Sequence, residues 1–191
     1  MILKKGDSLI PDRGSVRILL SLALFVVLGA GHPSAGRAKD KPEMPDECAG
    51  DVRFVDRGLT VYDCQENLEW EKKSTGNVNQ LFTWSTAAPW NFDGTAASYI
   101  NSLNAVGFAG HKDWRLPMVA QNGGKAELET IMDLTQGNCG GGDGPCIDEF
   151  IFGPTAASDY WSSVTHAVSP GSAWLVNFGF GVFSSFSKRD S

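Results

Sequence analysis

Tyr160-Trp161-Ser162-Ser163, then Ala173-Trp174-Leu175-Val176-Asn177-Phe178, then Val182-Phe183-Ser184-Ser185-Phe186, make the last third of the chain a run of strands. Aromatic and β-branched residues fill these segments, and turn-rich pieces separate them. Gly179-Phe180-Gly181 between the last two predicts a tight hairpin. Alternation along a strand puts Tyr160 and Trp161 on opposite faces, which predicts that one of the two is exposed.

Ahead of this β-rich end the periodicity changes. Leu128, Ile131 and Met132 form an i, i+3, i+4 face, predicting a helix over 125–134. Residues 113–117 are too short for a helix, and Pro117 forces an extended exit. The stretch 83–104 predicts helix in two pieces, with Ser85 capping the first and Pro89 to Gly94 interrupting. In the second piece Tyr99, Ile100 and Leu103 recur at helical spacing. Earlier still, 53–55 and 60–63 read as short strands about a turn at Gly58, with a third over 67–71 carrying Trp70 into the core. Strands, then helices, then a β-rich end is the order of an α+β domain.

The N-terminus has the pattern of an export signal. Lys4, Lys5, Arg13 and Arg17 precede an apolar stretch of 13 residues from Ile18 to Ala30. A spanning helix needs about 20 apolar residues, so the stretch fits a cleaved leader better than an anchor. Gly36-Arg37-Ala38 offers a small-x-small cleavage site, giving a signal peptide over 1–38, a linker over 39–52 and a domain over 53–191. The mature chain then has no membrane span and is exported to the periplasm, cell surface or medium. Losing 1–38 takes Lys+Arg from 16 to 11 and Asp+Glu from 22 to 20, so the net charge moves from −6 to −9. Such a surface repels phosphate backbones and anionic headgroups, which excludes nucleic acid and acidic membrane as natural partners. Sulfated polymers need clustered cations, and within residues 39–191 only Lys72-Lys73 and Lys188-Arg189 are adjacent basic pairs.

Four cysteines remain on this exported chain, an even count that reads as disulfides. Cys139 and Cys146 bracket a Gly-rich loop able to bring their sulfurs together. Cys48 and Cys64 would then staple the lead-in to the first strand pair. Three pairings are formally open, and these two local ones are preferred.

Six motifs in order carry a family resemblance: Trp70-Glu71-Lys72-Lys73, Asp113-Trp114-Arg115-Leu116-Pro117, Glu127-Leu128, Ile151-Phe152-Gly153-Pro154-Thr155, Tyr160-Trp161-Ser162-Ser163, and Ala173-Trp174 with Val176 and Phe178. With them the chain resembles the Lcl C-terminal domain family, named for the last domain of the Legionella collagen-like adhesin and largely of unknown function. The resemblance covers residues 53–188 and implies a C-type-lectin-like fold of short antiparallel sheets, two helices and long loops. Two departures matter. The family's "IDPIF" is Ile147-Asp148-Glu149-Phe150-Ile151-Phe152 here, and the closing "YYVRAVR" strand of relatives has no counterpart before Ser191. Without that strand a sheet edge is left open to a partner.

The candidate ligand contacts are Arg115, Tyr160, Trp161 and Asn177. Aromatic rings beside Asn and Asp suit a pyranose, so a glycan or another surface polymer is the expected partner. The plain structural alternative is core packing for the rings and, for Arg115, a tie between loops through Asp113 or an acidic residue of the Gly-rich loop. Asp143, Asp148 and Glu149, with Asn138, crowd oxygen ligands of the kind calcium takes, although no EF-hand spacing is present. No other cofactor is expected. His111 and His166 lie in no nucleophile motif, and no elbow, phosphate loop or zinc motif occurs. The expected function is a non-enzymatic recognition or adhesion module. A structural module acting through protein contacts or oligomerisation is the alternative, with a hydrolase using paired carboxylates a more distant one.

Overall fold

The computed structural model describes residues 3–5 and 45–191, so the leader expected over 1–38 falls outside the described residues except for Leu3–Lys5. Among the described residues seven strands form two antiparallel sheets. The first sheet has the order β1-β4-β3-β2, from Leu3–Lys5 (β1), Phe54–Asp56 (β2), Thr60–Asp63 (β3) and Leu68–Glu71 (β4). The second has the order β5-β6-β7, from Asp159–Thr165, Ser172–Asn177 and Val182–Ser187. Between them in sequence lie α1 (Thr95–Val106) and the single-turn α2 (Glu149–Phe152). The α+β class and most strands agree with the sequence.

In the second sheet β5 and β6 are covered on both faces. Tyr160 pairs with Val176, and both join a core with Val61, Trp70, Leu128, Phe152 and Phe178. Trp161 pairs with Leu175 on the opposite face, where Trp161 and Ala173 meet Trp84, Ile100, Leu103, Trp114 and Leu116. Alternation is therefore as expected, but neither ring is left bare: Tyr160 is 8% exposed and Trp161 is half-buried.

The first sheet follows another pattern. Residue types alternate along β3 and β4 (Thr-Val-Tyr-Asp, Leu-Glu-Trp-Glu), yet all eight residues are buried. Val61, Leu68 and Trp70 join the shared core. Glu69 and Glu71 point the other way and are covered by cations. Glu69 accepts from Arg57 at 2.9 Å and from the Thr60 hydroxyl at 2.5 Å, with His111 Nε2 at 3.2 Å. Lys73 donates to Glu71 at 2.9 Å.

Two helix expectations fail for tertiary reasons. The first piece of 83–104 is loop, because the Trp84 and Ser85 N–H groups both donate to the Lys188 carbonyl at 2.9 Å. Ser85 does not cap a helix; its hydroxyl donates to Asp93. Helix α1 begins only after Gly94, where a Cβ would lie 2.3 Å from the Thr83 oxygen, and ends at Gly107 with φ 67°. Residues 125–134 form only a 3-10 turn, Leu128–Ile131. The N–H groups of Glu127 and Leu128 are tied to the Met118 carbonyl and that of Asp133 to the Cys146 carbonyl, which stops an α-helix at both ends. Leu128 and Ile131 still point inward.

Both expected disulfides are present. Cys48–Cys64 pins the lead-in to the end of β3, and Cys139–Cys146 pinches the Gly-rich loop against the β6–β7 hairpin. There the Cys146 N–H donates to the Phe178 carbonyl. Among the described residues no helix is long and apolar enough to cross a membrane.

Candidate functional site

A cleft of about 380 Å³ opens where the segment after β4 passes over α1 and one face of the second sheet. Its walls follow from the fold. Trp161 reaches it by strand parity and is fixed because its indole N–H donates to the Phe82 carbonyl at 2.7 Å. That bond also holds the 78–82 segment over the sheet. Tyr99 comes from the half-buried side of α1, and Phe186 from the edge strand β7. Four exposed polar side chains, Asn79, Gln80, Asp159 and Asp190, also line it and form its mouth.

One cation, Lys73, lines the cleft, and its charge is matched. It is 6% exposed, donates to Glu71 and lies 4.9 Å from the Tyr99 ring centroid. Tyr99 donates its own hydroxyl to the same carboxylate. Burial, reinforced by that neighbouring carboxylate, pushes the Tyr99 phenol well above its ordinary range, so it stays a neutral donor. Tyr160 borders the cleft from within the core, accepting the Ala156 N–H at 3.0 Å, and burial pushes its phenol up to about 12.

Of the ligand contacts expected from sequence, Trp161 and Tyr160 are brought to the cleft, while Arg115 and Asn177 do not line it. Arg115 sits between buried Trp114 and Leu116, as expected, but its partner is neither Asp113 nor the Gly-rich loop. It donates from both terminal nitrogens to Glu127, each at 2.8 Å, and to the Leu116 carbonyl at 3.0 Å. Glu127 also accepts the Met118 N–H, so the fork ties the extended 113–117 segment to the next turn. Asn177 donates to Asp159 at 2.8 Å and accepts from the Phe180 N–H, closing the hairpin.

The acidic loop residues also have structural partners. Asp148 caps α2 by accepting the Phe150 N–H, and Glu149 accepts the Thr155 N–H, both at 2.9 Å. Asp143 lies on the exposed Gly-rich loop. Among the described residues no three His, Cys, Asp or Glu side chains are grouped as a metal site requires.

Neither basic pair forms an anion site. Lys72 bonds Asp56 at 2.8 Å, and Lys188 is 1% exposed, its ammonium 3.9 Å from the Trp84 ring centroid and 2.9 Å from the Thr165 hydroxyl. Desolvation pulls the Lys188 pKa down. Arg189 stacks over Trp90.

The sequence reading missed Asn79, Gln80, Phe82, Asp159 and Phe186 as cleft residues. Of these only Phe186 stands in a segment that the sequence singles out, the strand over 182–186. No curated protein and no solved structure matches the chain. A family model does match, over residues 59–191, and by that match the chain belongs to the Lcl C-terminal domain family.

Proposed function

We propose that this chain is an exported recognition domain that holds a saccharide unit of a surface polymer in the cleft, in the service of adhesion. The observation that carries the reading is the lining: Phe82, Tyr99, Trp161 and Phe186 meet the polar side chains of Asn79, Gln80 and Asp159 in one concavity. A pyranose has apolar C–H faces and a rim of hydroxyls, so rings take its faces while amides and carboxylates take its edge. Export is supported by the two disulfides, which persist in oxidising compartments, and by the N-terminal basic and apolar pattern. Short antiparallel sheets, long loops and two staples are in keeping with a relation to C-type-lectin-like folds.

The test is a glycan array probed with the purified, oxidised chain. Asn79 and Gln80 are exposed, so replacing both by Ala leaves the core intact. Binding should weaken by about fivefold to a hundredfold, the sum of two ordinary hydrogen bonds of about 0.5–1.5 kcal/mol each. Array binding that the double variant retains in full would move the site elsewhere.

A second reading, assembly through protein contacts, is favoured by one observation. Strand β7 is an edge strand with Val182, Phe183 and Phe186 each 44–50% exposed, and it carries neither charge nor proline to protect that edge. Phe183 pairs with Val176, on the face away from the cleft. Phe183→Lys separates the readings: under assembly it abolishes a concentration-dependent oligomer seen by light scattering, and under recognition alone it changes no sugar affinity.

A further inference from the structure

We infer that the saccharide taken by the cleft is cationic, an amino sugar with a free ammonium rather than a sulfated or carboxylated unit; this rests on the recognition reading above. The first support is the fate of the positive charge in the cleft. Lys73 is matched by Glu71, whose other oxygen accepts the Tyr99 hydroxyl, so the ammonium is not available to an anionic ligand. The second is the mouth. Asp159 and Asp190 are exposed there, and among the described residues neither is in an ion pair. Asp159 is held in place by a single amide bond from Asn177, which leaves acceptor capacity on its carboxylate.

The rings add a third support. An ammonium is attracted to the face of Trp, Tyr or Phe within about 6 Å of the centroid. The Tyr99 and Phe82 rings already attract one ammonium, that of Lys73, at 4.9 and 5.8 Å from their centroids. Trp161 and Phe186 line the same cleft as the two carboxylates. Charge outside the cleft acts in the same direction. A chain with a net charge of −6 draws cations inward and repels sulfate, and Lys72 and Lys188 are held by other partners. A lysine side chain of a protein partner offers the same ammonium. The amides of Asn79 and Gln80 and the Ser158 hydroxyl favour the sugar, because ring hydroxyls need donors and acceptors together.

The experiment is calorimetric titration of the full, oxidised chain near pH 6 with four short probes. These are a glucosamine tetramer, its N-acetylated counterpart, a sulfated oligosaccharide of equal length, and tetralysine. The glucosamine tetramer is expected to bind tightest. Asp159→Asn should weaken it about two- to fivefold, the range of an exposed ion pair, and Asp159→Asn with Asp190→Asn about tenfold. Raising the salt from about 0.05 to 0.3 M should weaken it further, because the rim charges are screened. Equal or tighter binding of the N-acetylated probe would overturn the cationic assignment and leave the cleft as a neutral sugar site. Tighter binding of tetralysine would assign the cleft to a protein partner. Glucosamine binding untouched by the two substitutions would show diffuse attraction to an acidic chain, and overturn the inference. Failure of all three sugars to bind would remove the recognition reading as well.

Discussion

Every residue of β3 and β4 is buried, and three of the eight are carboxylates, whereas the buried residues of β6 are Ala173, Leu175 and Val176. The two sheets sit against one core but are fixed by different forces. In the first, Asp63, Glu69 and Glu71 require Arg53, Arg57 and Lys73, and the register of the strands decides whether those partners meet. In the second, register follows from apolar side chains meeting two cores, and β7 is left with an exposed edge. Buried charge gives little net stability when paired, but breaking a pair is costly, whereas apolar burial fails gradually. The first sheet should therefore be the brittle part and the second the adaptable part, which is where the cleft and the exposed edge lie.

The largest effect is expected at Lys73. Lys73→Met leaves Glu71, 2% exposed, without its cation and should cost about 3–5 kcal/mol in chemical denaturation. Adding Glu71→Gln should restore most of the loss, since the uncompensated charge is then gone. A single-variant cost below about 1 kcal/mol, the value of an exposed pair, would break the contrast between the sheets.

Next come the staples, one to each region. Cys48–Cys64 closes a separation of 16 residues at the first sheet, and Cys139–Cys146 one of 7 beside the second. Loop-closure entropy makes the longer one worth about 3 kcal/mol and the shorter about 2 kcal/mol, so paired Cys→Ser variants should fall in that order. The reverse order would show that packing of Cys146 (0% exposed) under the hairpin outweighs chain entropy.

What the sequence disclosed divides along the same line. Strands 60–63, 68–71 and the last three were legible because alternation and turn residues are local signals. The cysteine pairing was legible because each pair is close in sequence. The 83–94 loop and the 3-10 turn at Leu128–Ile131 were not, since their helical bonds are displaced by carbonyls of Lys188, Met118 and Cys146, up to about a hundred residues away. For the same reason the partner of Arg115 was misread: an arginine's need for a carboxylate is local knowledge, but that Glu127 supplies it depends on how the intervening loop returns. The cleft was least legible, being assembled from segments scattered between Lys73 and Ser191.

Alkaline titration gives a smaller test of the second sheet. All three tyrosines have phenols raised by burial, Tyr160 to about 12 from 10.0. In that window the unfolded chain has lost protons that the folded chain keeps. The stability tied to Tyr160 is thus complete below pH 10 and declines as pH rises from 10 to 12, by about 2–3 kcal/mol. Tyr160→Phe should flatten that part of the pH dependence of unfolding. An unchanged slope would place the titration on Tyr62 and Tyr99, beside the charged face of the first sheet.

The smallest effect sharpens the comparison most, because it concerns the residue next to Lys73. Lys72 and Lys73 are consecutive and both are ion-paired, but Asp56, the partner of Lys72, has a side chain 53% exposed. The hydrogen bond from Lys72, with one from the Gly58 N–H, holds the Asp56 carboxyl below its ordinary 3.8. That contribution is present above pH 3.8 and is lost as pH falls through the depressed value. Lys72→Ala should cost only about 0.2–1 kcal/mol at pH 7, less in high salt, and nothing once Asp56 is protonated. Two neighbouring lysines would then differ several-fold in cost for one physical reason, that water reaches one carboxylate and not the other. Equal costs for Lys72→Ala and Lys73→Met would show that burial of the partner is not what makes the first sheet brittle.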